Sequence, residues 1–299
     1  MTNGPSGGHE CAIWGYAVLL PAALVAEAGD GRTIVFGMAD RESAQDAYDR
    51  FAPVYDEFNA ANNYEMWLGE VLLPELEKRG LRKGWALDVG CGTGRAFDPL
   101  LDRGWKVVGC DASKGMLDQA AEKFDSRVQL HQADARELAP MAPADADGTG
   151  FQLVLLLNEV VNYLTDDGDL ERAFAGVRRN LAPDGLIVFD TNTLLWFGES
   201  FAAGKSEEMS ARGWDWHGLN ETVERGATYE ARLSGQGVEP HVHRQRHWTP
   251  KQVDAALEDA GLRPLAALGQ REENLQVILE APVDEERDSK IIHIAARAA

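Results

Sequence analysis

Lysine and arginine are scarce in this chain. Its 299 residues carry 29 of them against 49 aspartates and glutamates, a formal net charge of −20. Nucleic-acid binders draw most of their affinity from neutralising phosphates and show a basic face. No Lys/Arg cluster here supplies one. No nucleic-acid partner is expected, and neutral or cationic small molecules suit the field better. Cysteine is scarce too: Cys11, Cys91 and Cys110 are an odd number without a C-x-x-C pair. That excludes a disulfide framework and a zinc site, and it suits a reducing, cytoplasmic setting. Long apolar runs are also missing. The uncharged stretch "CAIWGYAVLLPAALVA" (11–26) is short for a membrane span and contains Pro21. No Lys or Arg precedes it, as a secretory signal would require, so no membrane partner is expected. Residues 1–40 read as an N-terminal extension: an apolar arm, a dimer contact, a disordered segment, or a start placed too early with Met38 as the alternative. A homodimer is one expectation that follows.

From residue 41 the chain alternates helical and strand patterns. "SAQDAYDRFAPVYDEF" (43–58) sets Tyr48, Phe51, Tyr55 and Phe58 at helical spacing, interrupted by Pro53, and "YEMWLGEVLLPELEKRG" (64–80) reads as an amphipathic helix stopped by Gly80. Compact apolar runs follow at 85–89, 106–111, 127–131, 151–158 and 185–190, with helices at 95–103, 113–124 and 168–181. Near-continuous apolar strands alternating with helices predict a doubly wound α/β fold with a mostly parallel sheet covered on both faces. Residues 191–248, rich in Trp, Gly, His and charge, read as an antiparallel flap inserted after the fifth strand. The core resumes at 249–299 with a helix opened by Thr249, Pro250 and Gln252 and two closing strands, which makes about seven strands.

"ALDVGCGTGRAF" (86–97) is a glycine-rich turn between a strand and a helix, where ligands approach the backbone closely. The Lys and Ser/Thr of a Walker loop are absent, and Arg95 stands where a dinucleotide loop has its third glycine. The observed spacing is Asp88-x-Gly90-x-Gly92-x-Gly94, with Cys91 inside the loop. Asp111 ends the second strand, where doubly wound folds place a carboxylate for ribose hydroxyls. "QADARELAP" follows the third strand, and "LLLNEVVNYL" ends the fourth at the switch point of the sheet.

Together these stretches resemble the motifs of class I S-adenosylmethionine-dependent methyltransferases. The resemblance implies S-adenosylmethionine as cofactor, S-adenosylhomocysteine as product, and a seven-stranded Rossmann-like fold. It implies that Asp88, Gly90, Cys91, Gly92 and Gly94 cradle the cofactor and that Asp111 takes the ribose. Asp134 and Ala135 would read the adenine, Ala112 and Met116 would flank it, and Asn158 would lie near the methionine end. The plain alternative for Asp134 is a helix cap. In small-molecule relatives a tyrosine from the N-terminal helix closes over the methyl group, which points to Tyr48 and Tyr55, whose alternative is a core aromatic stripe.

For acid–base work the candidates are His241, His243 and His247, which share parity and face one side of a strand, together with Glu159. Their alternative is an exposed flap strand. Asn162, Asp190 and Asn192 are lesser candidates. No acid or cysteine cluster accompanies the histidines, so no metal is expected. The fourth strand ends in "NEVV" rather than the Asn/Asp-Pro-Pro-aromatic motif of relatives that methylate adenine or glutamine nitrogens, no Pro-Cys nucleophile occurs there, and Asn158 stands where metal-dependent relatives place an acid. What remains resembles small-molecule N- or O-methyltransferases of secondary metabolism, with the acidic charge leaning toward amines. The competing functions are an NAD(P)-dependent oxidoreductase, a nonenzymatic S-adenosylmethionine-binding module, and a protein methyltransferase.

Overall fold

The computed structural model describes residues 43–298 apart from 61, 82, 144–149, 205, 210–212, 236 and 274–275. The N-terminal extension, with Cys11 and Met38, lies outside the described residues.

The N-terminal helical region is a series of short pieces. Ser43 caps α1 (Ala44–Phe51) by accepting the Asp46 N–H. Pro53 sits in a 3-10 turn, Ala52–Val54, that separates α1 from α2 (Tyr55–Phe58). The amphipathic stretch at 64–80 is α3 (Tyr64–Trp67) and α4 (Leu73–Lys78) joined by a π turn, Leu68–Leu72. Pro74 explains the interruption, since it has no N–H to continue the regular ladder.

The main sheet contains β1 (Trp85–Val89), β2 (Lys106–Asp111), β3 (Gln129–Gln132), β4 (Phe151–Leu156) and β5 (Leu181–Asn192) in parallel. Antiparallel β12 (Lys290–Arg297), β10 (Leu262–Glu273) and β11 (Gln276–Glu280) extend it beyond β5. The spatial order is β11-β10-β12-β5-β4-β1-β2-β3. The sheet is the doubly wound one expected, with one strand more: β10 overruns its expected end and turns back as β11. Helices α5 (Phe97–Leu101), α6 (Lys114–Phe124), α7 (Asp169–Asn180) and α9 (Pro250–Asp259) pack on it, and the Thr249–Gln252 capping box forms as its sequence requires. Neighbouring strand residues divide between two cores. Ala86 and Val107 pack with Leu72 and Phe97 on one face, while Leu87 and Val108 pack with Phe174 and Val177 on the other. Strand order reverses between β1 and β4, so the crevice opens at their carboxyl ends.

After β5 come α8 (Leu194–Ser200) and an antiparallel sheet of β6 (Ser206–Met209), β7 (Trp214–Gly218), β8 (Thr228–Gly235) and β9 (Val238–Arg246). β9 lies against α1. Among the described residues no helix is long and apolar enough to cross a membrane.

Candidate active site

β1 is central and buried, so the turn that follows it is held rigidly. Gly90 and Cys91 both donate N–H groups to the Cys110 carbonyl, at 2.7 and 3.0 Å. Gly90 has φ +71°, and a Cβ there would stand 2.4 Å from Val160 Cγ2. Gly92, at φ +53°, has open space where its Cβ would be. Glycine is required at the first position by close packing and at the second by backbone conformation. Gly94 does not line the cavity beyond the loop; it faces Phe97 and Phe124 instead. Cys91 and Cys110 are free, buried thiols whose pKa values burial pushes up.

That cavity has a volume of about 380 Å³, within the range of about 300–1,000 Å³ for small-molecule sites. Two acids stand at its floor. Asp111 accepts the N–H groups of Gly92 and Ser113, each at 2.8 Å, and burial still raises its pKa. Asp88 is buried and has no hydrogen-bond partner for its carboxylate among the described residues. Burial, and then the neighbouring Asp111, push its pKa up to about 8.

Arg95 lines the same cavity. Glu65 takes its Nε at 2.6 Å and the Asn62 carbonyl takes Nη2 at 2.7 Å, while Nη1 is buried without a partner among the described residues. The cavity lining thus includes, among the described residues, a carboxyl group without a partner and an arginine with one unpaired N–H. That pair is the complement of an amino-acid zwitterion.

The opposite wall is Ala112, Met116, Ala133, Asp134, Ala135 and Arg136. Asp134 does cap the short turn Ala135–Glu137, accepting the Arg136 N–H at 2.8 Å. The Arg136 side chain grips the same carboxylate, with Nε at 2.9 Å, and holds its pKa below the ordinary range.

The methyltransferase-domain family model matches residues 86–185, the stretch from β1 to β5 that carries these motifs. The malonyl-[acyl-carrier protein] O-methyltransferase of Geobacter sulfurreducens is 30% identical over 79% of this chain and 75% of that protein. This chain belongs to the S-adenosylmethionine-dependent methyltransferases. It is also similar to the dTDP-4-amino-2,3,4,6-tetradeoxy-D-glucose N,N-dimethyltransferase of Saccharopolyspora spinosa, 27% identical over 71% of this chain and 85% of that one. An S-adenosylmethionine-dependent methyltransferase from Clostridium acetobutylicum shares its fold, with a TM-score of 0.66 at 19% identity, covering 84% of this chain and 99% of that one.

In this methyltransferase the N-terminal helices are pinned to the glycine loop and to the start of α6. Asp49 accepts the Ser113 hydroxyl at 2.6 Å and the Gly115 N–H at 2.8 Å, and Asp56 takes the Thr93 hydroxyl at 2.6 Å. Tyr48, Tyr55 and Tyr64 line the cavity together with Asn158 and Tyr163. Phe51 is core, while Tyr48 and Tyr55 pack beside it and also line the cavity. Burial raises Tyr55 to about 12 and Tyr48 well above its ordinary value, so both are neutral hydroxyls at physiological pH. Asn158 and Glu159 have successive positive φ values, 59° and 72°, which turns the chain sharply at the switch point.

The histidines lie elsewhere. His241 and His243 do share one face of β9, as their parity requires, but that face is buried against α1 rather than solvated, and neither residue lines the cavity. His247 packs near Phe197, and its Nδ1 accepts the Gly226 N–H at 3.1 Å. Desolvation pushes His243 down to about 3 and His247 to about 4. Glu159 does not line the cavity either; its carboxylate is taken by Lys290 at 3.2 Å and Gln245 Nε2 at 2.6 Å. Lys290 also holds Asp190, at 3.0 Å. Sequence reasoning missed Tyr64, Arg95, Arg136, Tyr163 and Arg244 as cavity residues. Arg95 was visible as the departure from a dinucleotide loop, and Tyr163 sits inside the fourth-strand motif. Nothing in the sequence marked Arg244.

Proposed function

We propose that this enzyme methylates an amine nitrogen on a small-molecule acceptor. One observation carries the reading: a single cavity is lined both by Asp88 and Arg95, together complementary to a zwitterion, and by the neutral phenols of Tyr48, Tyr55 and Tyr163. S-adenosylmethionine supplies an activated methyl group at a sulfonium. Asp88 would take its ammonium, Arg95 Nη1 its carboxylate, Asp111 the ribose, and Met116, Ala112, Asp134 and Ala135 the adenine. Tyr48 and Tyr55 would confine the acceptor and exclude water from it, which is the protein's share of the work when the cofactor carries the reactive group. The rim, with exposed Ser43 and Gln45 and partly exposed Thr165 and Arg244, leaves room for a larger polar handle. An amino sugar on a nucleotide, as in the Saccharopolyspora relative, fits this description.

Radiolabelled cofactor tests the proposal against three acceptors: a nucleotide amino sugar, its hydroxyl counterpart, and a malonyl carrier protein like the acceptor of the Geobacter relative. Label on the amino sugar supports the reading. Label on the hydroxyl or the carrier protein alone replaces nitrogen with oxygen, and no transfer to any of them removes this acceptor class.

A further inference from the structure

A line of hydrogen bonds runs from the cavity into the flap. The Tyr48 hydroxyl lies 3.0 Å from that of Tyr163, which lies 2.7 Å from His243 Nδ1. His243 Nε2 lies 3.1 Å from His241 Nε2, and His241 Nδ1 lies 3.1 Å from the Glu239 carbonyl. Its direction follows from the last link. A carbonyl only accepts, so His241 carries a hydrogen on Nδ1, and the neutral ring, disfavoured from charging by burial, has a bare Nε2. His243 must then donate from Nε2, which leaves its Nδ1 bare, since burial also keeps this ring neutral. Tyr163 therefore donates to His243, and Tyr48 donates to Tyr163. The Tyr48 hydrogen is committed away from the cavity.

The surroundings favour this direction. Arg50 of α1 opposes a charge on His241, and Phe51 and Trp216 lie against the His243 ring. Gln245 also donates to the Tyr163 oxygen, while Glu159, already held by Lys290, discourages the Tyr163 phenolate.

We infer that Tyr163, His243 and His241 are positioning residues that hold the Tyr48 oxygen as a hydrogen-bond acceptor toward the cavity, so that the enzyme requires a hydrogen on the reacting atom and withdraws that proton along the chain. The inference rests on the acceptor proposed above. The proton balance closes. As the amine lone pair forms the new N–CH3 bond, the sulfonium S–CH3 bond breaks and its electron pair leaves on neutral S-adenosylhomocysteine, while the acceptor N–H gives its proton to the Tyr48 oxygen. The Tyr48 proton passes to Tyr163, that of Tyr163 to His243 Nδ1, and the His243 Nε2 proton to His241 Nε2. One imidazolium results, at His241, only transiently, because the burial and Arg50 that keep the resting ring neutral also drive it to give the proton up again, and both tyrosines end as neutral hydroxyls.

The test uses the full-length protein, labelled with ¹⁵N-histidine and saturated with S-adenosylhomocysteine. Two-bond ¹H–¹⁵N correlations between pH 5.5 and 8 should show His241 protonated on Nδ1 and His243 on Nε2, both neutral. The opposite tautomers, or a charged His243 at pH 7, would overturn the inference without any acceptor being known. With a primary-amine sugar nucleotide as probe, Tyr163→Phe should lower kcat by on the order of 100-fold, at the lower end of proton-transfer catalysis. KM and cofactor Kd should stay within about twofold. His243→Gln, which keeps an acceptor for Tyr163, should retain more kcat than His243→Leu. A tertiary-amine form of the probe should give no product. An unchanged kcat in Tyr163→Phe, or a quaternary product, would sink the idea. If no acceptor of this class is methylated, the preceding proposal fails while the tautomer measurement still decides this one.

Discussion

The Asp111 carboxylate accepts the Gly92 N–H at 2.8 Å, tying the end of β2 to the loop that follows β1. The same acid takes the Ser113 N–H at the start of α6. Its remaining lone pairs are available to a ligand on the cavity side. Asp111→Ala should weaken S-adenosylmethionine binding by about 1–3 kcal/mol through unpaired ribose hydroxyls. Calorimetry measures this directly, and an unchanged affinity removes Asp111 from the cofactor site.

Asp88 should report cofactor binding as a proton. Its pKa of about 8 in the ligand-free protein means that it is largely protonated at pH 7. A cation placed beside it favours the carboxylate. Binding at pH 7 should therefore release close to one proton, seen as a binding enthalpy that differs between buffers of different ionisation heat. Asp88→Asn should abolish the difference; a buffer-independent enthalpy in the native enzyme would place the cation elsewhere.

Stability should peak near pH 6–7, between two opposing titrations. His243, His247 and His293 have folded pKa values of about 3, 4 and 3, depressed first by burial. The unfolded chain binds their protons below about pH 6.5, so stability rises with pH through that region, by about 4 kcal/mol per unit where all three contribute. Asp88 acts oppositely: the folded state keeps a proton that the unfolded chain loses above about pH 4, which costs about 1.4 kcal/mol per unit up to pH 8. Asp88 opposes the histidines across this range, and they prevail until their protons are lost from the unfolded chain between about pH 6 and 7. Denaturant titrations at pH 5, 6.5 and 8 check the shape, and Asp88→Asn should flatten the alkaline side and steepen the acid side by about 1.4 kcal/mol per unit.

The buried Lys290 stands between Glu159 and Asp190. Lys290→Met leaves two acids beside one another without their cation and should destabilise the protein by about 3–5 kcal/mol. Chemical denaturation measures it. A loss under about 1 kcal/mol would mean that the carboxylates reach water or protonate at little cost.

Gly90→Ala should be severely destabilising because of Val160 Cγ2 at 2.4 Å and the positive φ. Adding Val160→Ala removes the clash but not the backbone strain, which by itself costs about 1–3 kcal/mol. A double-mutant cycle should thus show partial rescue; strict additivity would show that the two side chains do not meet.

Much of the candidate site's lining was legible because its parts are local. The Asp88 to Gly94 spacing, Asp111 at a strand end and Asp134 after the next strand are short-range signals whose chemistry depends on backbone conformation nearby. The additional strand β11 was not legible, since "QVILE" reads equally as part of a loop or of a strand until β10 offers it an edge. The histidine parity was readable, but not which partner would cover that face.

The sequence by itself determined the alternation of strands and helices, the glycine turn, and the acids that border it, for these follow from periodicity and from residues close in the chain. Only the tertiary structure decided that α1 lies against β9, bringing Tyr48 to His243 across almost two hundred residues. It likewise paired Lys290 with Glu159 and brought Arg95, with its Nη1 bare among the described residues, to the cavity that Asp88 also lines. Those are long-range contacts, set by which buried surfaces fit together, and no local pattern encodes them.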